Sequence, residues 1–120
     1  MHSGLDRPGE ERAYRFADDH VDSFAAWDLL VFLHHRPETA EDASGYAMLL
    51  GRSEEDLAKA LEHLCTTGAV VCSGDAELSR YMLATDAEVR ESLSSFVDLC
   101  GIKECRLEIV RRVLAGYPRE

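Results

Sequence analysis

Gly51-Arg52-Ser53-Glu54-Glu55-Asp56-Leu57-Ala58-Lys59-Ala60-Leu61-Glu62-His63-Leu64-Cys65-Thr66-Thr67-Gly68-Ala69-Val70-Val71-Cys72 is the stretch that decides the fold. Leu57, Ala60, Leu61 and Leu64 recur at i, i+3, i+4 and i+7, the spacing that lines one face of an α-helix. Ser53 with Asp56 three residues on has the form of a capping box, with Asp in place of the usual Glu. Gly68 supplies the stop, because glycine adopts the left-handed C-cap conformation without a Cβ penalty. A helix over 54–67 is therefore predicted. Beyond it the period shortens: Ala69 to Cys72 and Leu78 to Leu83 flank Ser73-Gly74-Asp75-Ala76, which reads as a β-hairpin about a turn.

Upstream, Phe24, Trp27, Leu30, Val31, Leu33 and His34 recur at helical spacing up to Arg36-Pro37, where the residue before proline disfavours helix. This predicts a buried helix from about Ser23 to His35. Thr39 and Asp42 stand in a second capping arrangement and open a helix from Ala40 to Leu50, with Ala43, Tyr46, Ala47 and Leu50 on one side and Gly51 as its stop. Residues 1–20 hold Gly4, Pro8 and Gly9 and few large apolar side chains. They read as a flexible N-terminal segment that becomes ordered near Tyr14 as a short strand or turn.

Downstream, Asp86 opens a last helical region. Its apolar positions Val89, Leu93, Phe96, Cys100, Leu107, Val110 and Leu114 follow steps of four and three, an a/d seam with Lys103 in the one polar slot. Gly101 interrupts it and favours two helices meeting near Gly101-Ile102 over one bent helix. The chain thus divides into a segment over 1–20, a core over 21–85 and a C-terminal helical region over 86–120. Two fates suit the seam: packing on the domain's own first helix, or a homodimer interface formed by Val89, Leu93, Phe96, Leu107, Val110 and Leu114. Val97, Ile109 and Val113 widen the stripe, as though the region had two surfaces to bury.

A chain of 120 residues with 46% hydrophobic and 30% charged residues is an ordinary mixture for one globular domain. Its longest apolar run, Leu29 to Leu33, is five residues, against the roughly 20 a bilayer span needs. With no basic-then-apolar export signal, a cytoplasmic protein without membrane attachment is expected, and its four cysteines are read as thiols. The net charge of −10 opposes unspecific attraction to anionic lipid or DNA.

The order of elements resembles the winged helix-turn-helix superfamily of bacterial transcription regulators. The residues that carry the likeness are Trp27 to Leu33, Ala43 to Leu50, Gly51-Arg52-Ser53, Leu57 to Leu64 and Gly68-Ala69-Val70-Val71. The resemblance implies a mainly α fold with a small β-hairpin, Ser53 to Thr67 in the place of the major-groove helix, and Ser73 to Ser79 at the wing tip. It also implies DNA contacts through Arg52, Ser53, Lys59 and Arg80, with Arg36 nearby. The sequence departs from a DNA reader in one respect. The recognition helix carries Glu54, Glu55, Asp56 and Glu62 against Lys59 alone, and Asp75 and Glu77 precede Arg80 in the wing. The three consecutive carboxylates have a structural explanation in the helix dipole, and phosphates would repel them.

Nothing at recognisable spacing forms a nucleophile beside a base, a phosphate-cradling loop or a metal-binding helix face, so no enzyme and no cofactor are expected. His63, Cys65 and Cys72 make the best improvised metal set, and they are read as ordinary side chains because no Cys-x-x-Cys knuckle is present. His34 and His35 suit the dipole at a helix end, Trp27 is read as core, and Asp28 either pairs with an Arg or Lys of another element or simply faces water, the second being preferred. Two functions follow. One is a dimeric winged-helix regulator of modest DNA affinity; the other is a winged-helix adaptor whose acidic third helix docks on a basic or apolar surface of another protein.

Overall fold

The computed structural model describes residues 9–74 and 79–115. In chain order the elements are α1 (Glu10–His20), α2 (Phe24–His35), α3 (Ala43–Leu50), α4 (Glu54–Thr67), β1 (Val70–Ser73), β2 (Arg80–Leu83), α5 (Ala87–Cys100) and α6 (Lys103–Leu114). The protein is therefore mainly helical with one small antiparallel sheet. No helix among the described residues is long and apolar enough to cross a membrane.

Each boundary has a local cause. Ser23 Oγ accepts from the Ala26 amide at 3.1 Å, Ser53 Oγ from Asp56 at 3.0 Å and Asp42 Oδ1 from Gly45 at 2.8 Å, satisfying donors that a helix start leaves orphaned. Asp42 and not Thr39 caps α3, so the helix expected from Ala40 begins at Ala43. The difference arises because Glu41 is drawn into pairing with β2. Its amide donates to the Tyr81 carbonyl at 3.3 Å, and the Tyr81 amide donates back at 2.8 Å. Gly51 and Gly68 close α3 and α4 at φ of 69° and 93°, where a side chain would be strained.

In the hairpin, Val70 pairs with Leu83, Val71 with Met82, Cys72 with Tyr81 and Ser73 with Arg80. Its base is anchored, since Ala69, Val70, Leu83 and Ala84 are buried, while Val71 to Ser73 stand in solvent. The expected turn cluster extends into 75–78, which lies outside the described residues.

One core runs through all six helices. Leu29, Leu30 and Leu33 of α2 meet Tyr46 of α3 and Leu57, Leu61 and Leu64 of α4, and the cluster continues into Leu93, Phe96 and Leu99 of α5. Phe96 is fully buried, with ring centroids 5.6 Å from Phe16 and 5.9 Å from Trp27, a separation favourable for tilted aromatic pairs. Trp27 is half-buried and packs against this core. The N-terminal segment differs from the expectation. Residues 10–20 form a helix that buries Ala13, Phe16 and Ala17 and packs mainly on α5; the part of that segment before Gly9 lies outside the described residues. Two alanines on the buried face let the helices approach closely, which a count of large apolar residues does not register. Arg112 ties the other end of the chain to α1: its guanidinium donates to Asp18 at 2.8 Å and lies over the Tyr14 ring at 4.6 Å.

Tyr46 joins α3 to the sheet by donating its hydroxyl to the Tyr81 carbonyl at 2.7 Å, and burial pushes the phenol up to about 12, so it stays a donor at neutral pH. Tyr46→Phe is expected to cost about 1 kcal/mol, and Phe96→Ala about 3–5 kcal/mol. Urea unfolding read at constant slope measures both; equal costs for the two variants would contradict the placement of Phe96 at the centre of the core.

Candidate functional site

Among the described residues no charged residue is buried, so chemistry is sought first on the surface and in its depressions. The opening turn of α4 is the first place to look. Glu54, Glu55 and Asp56 are all exposed there, stabilised by the N-terminal end of the helix dipole. Of the side chains predicted to meet DNA, Arg52, Ser53 and Lys59 lie at or near this turn and Arg80 does not, and each of the four has a partner within the chain. The Arg52 Nε donates to Asp28 Oδ2 at 2.7 Å, tying the α3–α4 turn to α2. Asp28 therefore does not simply face water; it is the acceptor of that ion pair. Ser53 spends its hydroxyl oxygen on the cap of α4. Lys59 Nζ lies 3.6 Å from Glu55 Oε2, one helical turn away. Arg80 stands apart on β2, donating to the Ala40 carbonyl at 3.2 Å and lying 3.8 Å from Glu41 Oε1.

Arg52 and Lys59 border one shallow depression of about 250 Å³, together with Ser23, Phe24, Ala25 and Asp56. Phe24 is partly exposed and stacks on Trp27 at 6.0 Å. The α3 helix that precedes this corner exposes Met48 (80%) and Leu49 (54%) in its last turn. What the corner presents is thus acidic and apolar, with its cations already engaged. Arg36, at the C-cap of α2, is exposed.

The predicted dimer residues separate. Leu93 and Phe96 are buried in the protein's own core, and Val89 lines a depression of about 510 Å³ between α1 and α5 with Arg12, Arg15, Phe16 and His20. Leu107 and Leu114 remain exposed, with Val110 half-buried between them. The seam breaks because the chain turns at Gly101 and Ile102, after which Cys105, Ile109 and Val113 become the buried face of α6.

The improvised metal set is not assembled. His63 Nδ1 lies 3.5 Å from Asp22 Oδ2, and no grouping of three metal-ligating side chains occurs among the described residues. All four cysteines are free thiols. Burial pushes Cys100 up to about 11 and raises Cys65 as well, so neither is a thiolate at neutral pH.

Sequence reading missed a polar cluster between α1 and α4. His20 Nδ1 lies 2.6 Å from Thr67 Oγ1, the His20 ring packs on Phe16 at 4.5 Å, and His63 Nε2 is buried without a hydrogen-bond partner. The two histidines are 43 residues apart, and no local pattern announces that they meet. Comparison with protein-family models, with curated proteins and with solved structures finds no match to this chain.

Burial of the imidazole holds His20 below its ordinary value of 6.5; Asp19 opposes that shift and His63 adds to it. The folded state therefore binds fewer protons than the unfolded chain once the pH falls below 6.5, and stability is lost on that side and intact above it. Glu108, held low by hydrogen bonds from Arg112 and Arg111, gives its own loss only below the ordinary 4.5. Urea midpoints between those two values are expected to fall with acidification in the wild-type chain and to fall less in His20→Gln; parallel curves would remove His20 from the account.

Proposed function

We propose that this chain is a winged helix-turn-helix domain that acts as a regulatory interaction module, docking on another protein through the α3–α4 corner and not reading DNA. The winged-helix reading is supported by the order α2, α3, α4, hairpin, and by Glu41 pairing with Tyr81, a one-residue bridge added to the two-stranded sheet. The protein-binding use rests on one observation. Arg52, Lys59 and Arg80, the three cations assigned to direct DNA contact, each lie against a carboxylate of this chain, Asp28, Glu55 and Glu41, while Glu54, Glu55 and Asp56 occupy the turn that would enter a groove.

Breaking those pairs to contact DNA would expose the freed carboxylates to phosphate repulsion, so the counterion release that drives unspecific binding has few cations to work with. Exposed Met48 and Leu49 beside this turn are the apolar anchors that a protein interface uses and a phosphate backbone does not. A second reading, a transcription regulator of modest DNA affinity contacting the duplex through Arg52, Ser53, Lys59 and Arg80, is favoured by the position of α4 after a tight turn and before a hairpin.

A salt series with random duplex DNA separates the two. The expected result is no saturable binding at low ionic strength. Micromolar or tighter binding with a steep fall against log salt would replace the docking reading with the DNA-binding one.

A further inference from the structure

We infer that α6 is the surface through which two copies of this chain pair, antiparallel, along Leu107, Val110 and Leu114. The inference is independent of what the α3–α4 corner binds. On α6 the buried face is Cys105, Ile109 and Val113, and these side chains already close the chain's own core. Leu107 and Leu114 are 55% and 70% exposed, and their spacing with Val110 between them puts all three on one line along another face of the helix. A single exposed leucine is ordinary. Two on one line of a three-turn helix, with charges along both edges, form the pattern of a helix with a second surface to cover.

The charges along that line say what covers it. Glu104 and Arg111 lie on the same edge, seven residues and two turns apart; Arg106 lies toward the other edge, and Lys103 stands on the line itself, one turn before Leu107. A two-fold axis that pairs the helices antiparallel returns each edge to the same edge of the other copy with its direction reversed. Glu104 then faces the partner's Arg111, and Arg111 faces the partner's Glu104, giving two opposite-charge contacts from one self-complementary edge. A parallel pairing would instead set Arg106 against the partner's Arg111, a like-charge contact. Both cations are exposed: Arg111 rests on Glu108 of its own helix, and Arg106 donates to the Cys100 carbonyl at 2.8 Å.

Three apolar side chains on a short helix bury less than the roughly 800 Å² per partner of a standard interface, so the pairing is weak. Sedimentation of the full chain is expected to show the monomer mass of 13.4 kDa giving way to twice that value as concentration rises, with a dissociation constant on the order of 10 to 100 µM. Leu107→Glu with Leu114→Glu should stay monomeric over the same range with an unchanged helical spectrum, since both side chains stand outside the core. Glu104→Arg alone and Arg111→Glu alone should each weaken pairing by about two- to fivefold, in line with the modest worth of exposed ion pairs. An equimolar mixture of those two variants should regain it, because each copy then offers the charges that the other lacks. A wild-type chain that stays monomeric throughout, association that survives the double leucine substitution, or a mixture that pairs no better than its components would each overturn the inference.

Discussion

Phe96 is the constraint on which the rest of the structure depends. It sits on α5 and reaches Phe16 of α1 and Trp27 of α2, so one ring closes a core to which the first half and the last third of the chain both contribute. Burying it requires α5 to return across the helices that precede the hairpin. That return leaves α1 a groove against α5 lined for small side chains, which Ala13 and Ala17 fill. The α6 helix then has only one way to bury Cys105, Ile109 and Val113, and its leucine line is turned outward as a result.

The surface follows a second constraint, an acidic excess in which cations are scarce. Arg52, Lys59, Arg80 and Arg112 each lie against a carboxylate, and three of these contacts join separate parts of the fold: Arg52 with Asp28 across the α2 to α3–α4 junction, Arg80 on β2 with Glu41 before α3, and Arg112 with Asp18 across α6 and α1. Exposed ion pairs of this kind add little stability. Their larger consequence is electrostatic, since they leave the carboxylates of the α4 corner outward and its Arg52 and Lys59 charges compensated.

Much of this was legible in the order of residues. The apolar periods of α2 and α4, the Ser53 cap and the glycine stops are local features, and they placed the helices to within a residue or two. Departures occurred where a long-range partner outweighed a local preference. Glu41 left the expected helix to pair with Tyr81, forty positions on. Asp28 found Arg52 across a turn. Residues 10–20 became a helix because α5 offered a surface that small side chains fit. The polar cluster of His20, Thr67, Asp22 and His63 had no signal at all, because its members come from α1, the turn that follows it and α4, which meet only after folding.

By itself, the sequence determined the periodicities, the caps and the acidic balance, because each depends on neighbours within a turn of helix or on the sum of charges. Only the tertiary structure decided how the long a/d seam was spent. Leu93 and Phe96 went inward, while Leu107 and Leu114 stayed outside. The heptad arithmetic is the same for all four; what separates them is the turn at Gly101 and Ile102, which rotates α6 about its axis so that a different stripe meets the core.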